Sequence, residues 1–175
     1  MFSDPVKNIE QCGIQAGMEI ADLGSGSGFY TLAAAKALIS TGRVYSIDVQ
    51  KDLLTKIKNT AVHEGLYNVE VIWGDIEKLG GTKLHDASID LVLLCNVLFQ
   101  LADKTKIVKE IKRILKPAGR ALIVDWMDSF GGLGPHPNMV MKKDVVMDMF
   151  EKEGFHLDRE IQAGAHHYGL IYKKL

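Results

Sequence analysis

Five short apolar runs alternate with helical segments along the chain, and this alternation limits the fold more than any other feature of the sequence. The runs lie at residues 18–23, 43–48, 69–73, 89–95 and 120–126. The fourth, Ile-Asp-Leu-Val-Leu-Leu-Cys, is nearly continuous in apolar residues, as in a strand covered on both faces. Helical spacing falls between the runs. Residues 29–39 are rich in alanine and leucine; 52–63 places Leu53, Leu54, Ile57 and Ala61 on one side, with Gly65 as a stop; and 103–116 sets Ile107, Val108, Ile111, Ile114 and Leu115 opposite its lysines. Pro117-Ala118-Gly119 ends that helix, because proline cannot continue the hydrogen-bond ladder. Strands alternating with helices imply a parallel sheet with right-handed crossovers. After a further helix at 142–153, the runs 156–162 and 167–174 are separated only by a few residues around Ala163-Gly164-Ala165. A parallel pair needs a much longer crossover, so these two form an antiparallel hairpin. The expected fold is α/β, a Rossmann-like doubly wound sheet of five parallel strands closed by a reversed C-terminal strand. At 175 residues the chain reads as one domain, 1–175, able to bury roughly 70% of its unfolded surface without a disulfide or metal staple.

Composition removes several function classes. Lys plus Arg number 21 against 22 Asp plus Glu, which is not the basic excess of a dedicated DNA-binding domain. The lysine run of 103–116 reads as a solvated helix face rather than an RNA-facing surface, so a nucleic-acid partner is not expected. Cys12 and Cys95 are too few for a secreted disulfide scaffold and lack the spacing of a zinc site. The histidines show no paired ligand spacing either, and no metal is expected. The opening Met-Phe-Ser-Asp-Pro has no basic-then-apolar leader pattern. The longest apolar stretch, 91–99, is about half of what crosses a bilayer. A reduced, cytoplasmic protein with no membrane partner is the expectation.

The chemistry concentrates in the first crossover. The first strand runs into Asp22-Leu23-Gly24-Ser25-Gly26-Ser27-Gly28 and then a helix. Glycines there permit a tight turn and close backbone approach to a ligand, and the helix start offers N–H groups. The dinucleotide fingerprint G-x-G-x-x-G needs glycine where Phe29 stands, and no Lys-Ser or Lys-Thr follows for a triphosphate loop. Asp48 ends the second strand, where a carboxylate can accept both ribose hydroxyl hydrogens of a bound nucleoside. Asp75 follows the third strand, placed to accept from the amine of adenine, with Ile76 on the ring face; the plain alternative for Asp75 is a helix or turn cap.

This set, in this order, resembles the class I S-adenosylmethionine-dependent methyltransferases, from about Gly17 to the C-terminus. The resemblance implies that S-adenosyl-L-methionine is the cofactor, with Asp22, Gly24, Ser25, Gly26 and Gly28 around its methionine part. It implies ribose at Asp48, adenine beside Val49 and against Asp75 and Ile76, and Asn96-Val97-Leu98-Phe99 near the departing methyl group. The segment Arg113-Ile114-Leu115-Lys116-Pro117-Ala118-Gly119 is similar to the family's R-x-L-K-P-G-G signature, departing at Ala118 in a turn where little effect is expected. Gly134-Pro135-His136-Pro137 and His166-His167-Tyr168-Gly169-Leu170-Ile171-Tyr172 resemble the compact small-molecule branch akin to ubiquinone/menaquinone-biosynthesis methyltransferases.

Methyl transfer from a sulfonium is an in-line displacement, so alignment and water exclusion supply much of the rate. A general base is needed only if the acceptor holds its proton at neutral pH. Candidate acceptor-side groups at the carboxyl ends of the later strands are Asn96, Asp125, Trp126, His136, His166, His167 and Tyr168. His136, between two prolines in the glycine-rich loop 127–141, is the leading candidate for a base or substrate contact, with Asp125 and Tyr168 beside it as catalytic candidates. His166 and His167 alternate along a strand, so at most one faces the pocket. Only about seventeen residues precede the first strand, which leaves the pocket open on one side unless loop 127–141 or a second copy of the chain closes it. The leading expectation is methylation of a small-molecule oxygen, nitrogen or carbon. The alternatives are a non-catalytic S-adenosylmethionine-binding partner of another methyltransferase, or a methyltransferase acting on RNA or protein. Arsenite methylation needs several thiols, and Cys95 sits within an apolar strand.

Overall fold

A computed structural model describes residues 3–39 and 41–175. Its strands are β1 (Glu19–Leu23), β2 (Arg43–Asp48), β3 (Val69–Trp73), β4 (Ile89–Cys95), β5 (Leu115–Trp126), β6 (Phe155–Ile161) and β7 (His167–Lys174). They form one sheet in the order β3-β2-β1-β4-β5-β7-β6. Every pairing from β3 to β5 is parallel, and β7 runs antiparallel to both β5 and β6. The doubly wound sheet with its reversed final strand is therefore as the alternation of runs requires. The sequence order reverses between β1 and β4, which opens a crevice above their carboxyl ends.

The helices are α1 (Pro5–Glu10), α2 (Phe29–Ala37), α3 (Lys51–His63), α4 (Lys104–Ile114) and α5 (Lys143–Lys152). They divide the core into two layers. On one face Ile20, Val44, Leu91, Leu93, Leu122 and Val124 pack with Ile9 of α1, Ala34 of α2 and Ile57 of α3. On the other, Ala21, Ile47, Val92, Leu94, Ala121 and Ile123 pack with Ile107 and Ile111 of α4 and Val146 and Phe150 of α5. Burial on both faces accounts for the unbroken apolar runs of β4 and β5. Among the described residues no helix is long and apolar enough to cross a membrane.

One boundary differs from the sequence expectation. The helix ends at Ile114, and Leu115 already pairs with Ile89. Residues 116–119 bulge out before Arg120 pairs with Leu91. Pro117 thus belongs to a bulge within β5, a position where its missing N–H costs no ladder bond. Ala118 takes φ +61°, the left-handed conformation that a second glycine would hold without strain.

Candidate functional site

Several connected hollows lie over the carboxyl ends of β1 to β5. One, of about 270 Å³, is lined by Gly24, Gly26, Asp48, Val49, Gly74, Asp75, Ile76, Val97 and Leu101, among others. Gly24, Gly26 and Gln100 are shared with a second, of about 480 Å³, which adds Ser3, Pro5, Ser25, Phe29, Tyr30, Cys95 and Asn96. Ser3 and Asn96 in turn lead to a third, with Trp126 and His167 in its wall. Together they make one trough from the β3 end to the β5 end of the sheet.

The glycine-rich loop is the ridge of this trough. The amides of Gly24 and Ser25 donate to Ile47 O at 2.8 and 3.1 Å, and that of Gly28 donates to Ser25 O at 2.8 Å. Asp48 tethers the loop from the next strand: its Oδ2 accepts from the Gly26 amide and its Oδ1 from the Gln50 amide, both at 2.9 Å. The loop amides are thus largely spent on holding its shape. Each of its glycines does something different. A Cβ on Gly24 would lie 2.8 Å from Val97 Cγ2, and one on Gly28 would lie 2.5 Å from Ile57 Cγ1. Gly26 has open space where its side chain would be, so it is the point of free backbone approach. Gly28 caps α2 and packs on α3, beneath the trough rather than in its wall.

Asp22 lies under the loop as well. It is 2% exposed, and its Oδ2 accepts from Thr31 Oγ1 at 2.6 Å. Burial raises its carboxyl to about 6 despite that bond. It does not line the trough; it ties β1 to α2 and fixes the bend between them. Asp75 does line the trough, with Oδ1 accepting from the Glu77 amide and Oδ2 paired with Lys78 at 3.0 Å. The Lys78 bond, then the Glu77 amide, holds its carboxyl below the usual range. It therefore caps its own turn and stands at the cleft together. Ile76 is buried against Gly24 and Val49 is half exposed at the rim. Trp73, just outside, carries Lys51 Nζ 4.2 Å and Lys83 Nζ 5.1 Å from its ring centroid.

The acceptor-side candidates separate. Asp125 and Tyr168 are cross-strand partners and point into the α4/α5 layer, away from the trough. Asp125 is fully buried with Oδ1 on the Trp126 amide, and burial raises it to about 6. Tyr168 is raised above the ordinary phenol range by burial. Trp126 and His167, one residue out of phase with them, face the trough. His166 turns to Asp128 at 3.0 Å and stacks on Phe130. His136 is exposed, with Nδ1 2.8 Å from Asn138 Oδ1. The structure does not bring His136, Asp125 and Tyr168 together. The short segment ahead of β1 also reaches the cleft: Asn8 Nδ2 donates to Tyr30 Oη at 2.7 Å and to Ser3 Oγ at 2.9 Å, which lays Ser3 over the mouth. Sequence reasoning missed Gln50, Gln100, Leu101, Tyr30 and Ser3; of these only Gln50, beside the second-strand acid, had a positional signal.

The family profile described as "Methyltransferase domain" matches residues 14–163. The chain belongs to the class I S-adenosylmethionine-dependent methyltransferases. Within that family it is 32% identical over 119 residues to a ubiquinone/menaquinone biosynthesis C-methyltransferase from Hydrogenovibrio crunogenus, covering 67% of this chain and 46% of that protein. It is 29% identical to an arsenite methyltransferase from Halobacterium salinarum, over 75% of this chain and 31% of that one. The chain spans about half the length of the first curated relatives it matches. A crystal structure of a SAM-dependent methyltransferase from Aquifex aeolicus superposes with TM-score 0.88 at 29% identity, over 99% of this chain and 91% of that one.

The family's cofactor can be tested against groups the fold leaves unpaired. Ser25 Oγ and Asn96 Oδ1 are buried without a hydrogen-bond partner, and both residues line the 480 Å³ section beside Gly26. Buried polar atoms are nearly always paired, so two orphans flanking an open glycine mark a place for a polar ligand. A carboxylate pair lies at the other end, and the residues present suit a nucleoside joined to an amino acid. Among the described residues no group of three or more His, Cys, Asp or Glu is placed to hold a metal ion.

Proposed function

We propose that this chain is an S-adenosylmethionine-dependent methyltransferase whose acceptor is a small molecule. The carrying observation is the unbroken trough in which Asp48 and Asp75 lie at one end, the Gly24–Gly26 turn and the unpaired Ser25 and Asn96 atoms at the middle, and Trp126 and His167 at the other. In this reading Asp48 holds the ribose hydroxyls, Ile76 and Leu101 sandwich the adenine, and Ser25 and Asn96 take the amino-acid part. The cofactor, when bound, supplies an electrophilic methyl group. The chain's part is to hold that group at the Asn96 end, aim the acceptor along the trough and exclude water with Ser3 and Tyr30. Asp125 and Tyr168, in the opposite layer, act in this scheme by packing.

Two further features support a carbon, oxygen or nitrogen acceptor over arsenite. Burial pushes the Cys12 thiol up to about 11 and the Cys95 thiol well above its ordinary value, so neither is a thiolate at neutral pH. The relatives named for quinone biosynthesis act on small molecules, and the formal charge of -1 does not favour a nucleic-acid acceptor. We place the protein in the cytoplasm, with residues 14–163 as its methyltransferase domain. Isothermal titration with S-adenosylhomocysteine is expected to give saturable heat, and isotopically labelled cofactor is expected to label metabolites rather than RNA or protein in cell extract. No heat at millimolar ligand contradicts the assignment.

A further inference from the structure

Two further hollows lie at the outer, β3 end of the sheet. One, of about 390 Å³, has Lys51, Thr55, Lys58 and Val71 in its wall. The other, of about 380 Å³, has Lys78 and Lys83, and meets the trough at Val49, Gly74 and Asp75. Trp73 is the one residue common to both, so its ring is the partition between them. That ring is anchored, because Trp73 Nε1 donates to Val49 O at 3.0 Å, yet the residue is 53% exposed. Each hollow contributes an ammonium group to it: Lys51 Nζ lies 4.2 Å from the ring centroid and Lys83 Nζ 5.1 Å. Lys83 reaches it from a left-handed backbone, φ +61°, which lysine seldom adopts. Of the other two lysines, Lys58 Nζ donates to Val69 O at 3.0 Å and Lys78 pairs with Asp75 at 3.0 Å. Asp75 is the only carboxylate in either wall, and Asp52 follows Lys51 on the first turn of α3. The formal charge of -1, averaged over the chain, hides this local excess of cations.

A flat ring between two cationic hollows complements a flat group with negative charge on either side of it. An exposed cation–π contact is weaker than the stacking of a nucleobase on the same ring, so a base displaces an ammonium group and frees it for a phosphate. A free mononucleotide carries phosphate on one side only. An internal nucleotide of a strand carries one on each side, and a duplex keeps its bases stacked on one another. We propose that Trp73, with Lys51, Lys58, Lys78 and Lys83, binds single-stranded nucleic acid, one base on the indole and the flanking phosphates in the two hollows. A strand seated there is a binding partner and not the methyl acceptor, since Asn96 and Trp126 line the opposite end of the trough.

The probe is a short 5′-labelled oligouridylate, whose pyrimidine does not mimic the adenine of the cofactor. Polyphosphate, which has the charge and no bases, is the control. At low salt the oligomer is expected to give a saturable rise in anisotropy and to quench tryptophan emission, while polyphosphate leaves the emission in place. Added salt is expected to weaken the binding steeply. Trp73→Phe is expected to abolish the quench. Lys51→Glu with Lys83→Glu is expected to weaken the oligomer at least tenfold with an unchanged circular dichroism spectrum. The proposal is overturned by no binding at low salt, by equal quenching with polyphosphate, by equal affinity for the duplex with oligoadenylate, by a quench that persists in Trp73→Phe, or by full affinity in the double variant. The first three are read on the wild-type protein and stand even if a variant does not fold. None of them depends on S-adenosylmethionine binding.

Discussion

Asp22 is held by Thr31, through its hydroxyl and its backbone, in a place where burial raises its carboxyl to about 6. A raised acid binds its proton more tightly folded than unfolded, so its contribution favours the native state below about pH 4 and fades as pH climbs through 6. Asp22→Asn keeps an oxygen for Thr31 and removes that penalty. The variant is expected to be more stable than wild type by about 1–3 kcal/mol at pH 8, with the difference closing near pH 4, read from urea midpoints. Asp48 stands at the cleft itself, where its two amide bonds hold the loop. Asp48→Ala is expected to weaken S-adenosylhomocysteine at least tenfold and Asp125→Ala far less; the reverse order contradicts the ribose assignment. Both kinds of aspartate look alike in sequence. Spacing found Asp48, but Asp22 and Asp125 needed the fold, because β1 and β5 are covered on both faces and no polar alternation shows which way an acid points. The two orphaned oxygens that line the trough, Ser25 Oγ and Asn96 Oδ1, are equally invisible in the sequence.

Among the elements, α4 does more than cover the sheet. Its Glu110, with a fully buried side chain, accepts from the Gly80 amide at 2.7 Å, from Thr82 Oγ1 at 2.6 Å and from Arg113 at 2.7 Å. That network fastens the long connection between β3 and β4. Although burial alone opposes it, these bonds hold the Glu110 carboxyl down at about 2, so its stabilisation is present above the ordinary glutamate range and is lost only as pH falls toward 2. Glu110→Gln is expected to cost about 3 kcal/mol at neutral pH and much less near pH 2, measured by denaturant unfolding. The bulge that follows makes a second prediction. Ala118→Gly relieves a left-handed alanine and is expected to raise stability by about 1 kcal/mol in the same assay. The sequence motif located this turn, yet helical periodicity carried the helix to Lys116, because Leu115 fits the apolar stripe of a helix and the start of a buried strand equally well.

At the scale of the molecule, strand order is what places the trough; the alternation of runs implied a parallel sheet with a reversed hairpin, but not the order, which is set by pairings such as Ile20 with Leu91, far apart in the chain. The hairpin's insertion was legible only as a reversal; that β7 enters between β5 and β6 depends on pairings such as Arg120 with Lys173, far apart in the chain. The outer strand is guarded by charge, with Asp158, Arg159 and Glu160 along it, as exposed edges commonly are. β5 has no such guard: its edge is covered by pairing with β7, and Ala121 to Val124 along it are all apolar. A chain cut before His167 is expected to aggregate, and light scattering of such a truncation checks it. Because β6 is held to the sheet solely through a partner made after it, the ribosome delivers these strands in an order opposite to their docking. The nascent protein therefore waits with a sticky flank until the closing segment arrives, and a neighbouring molecule's hairpin, fitting the same slot, is its natural rival.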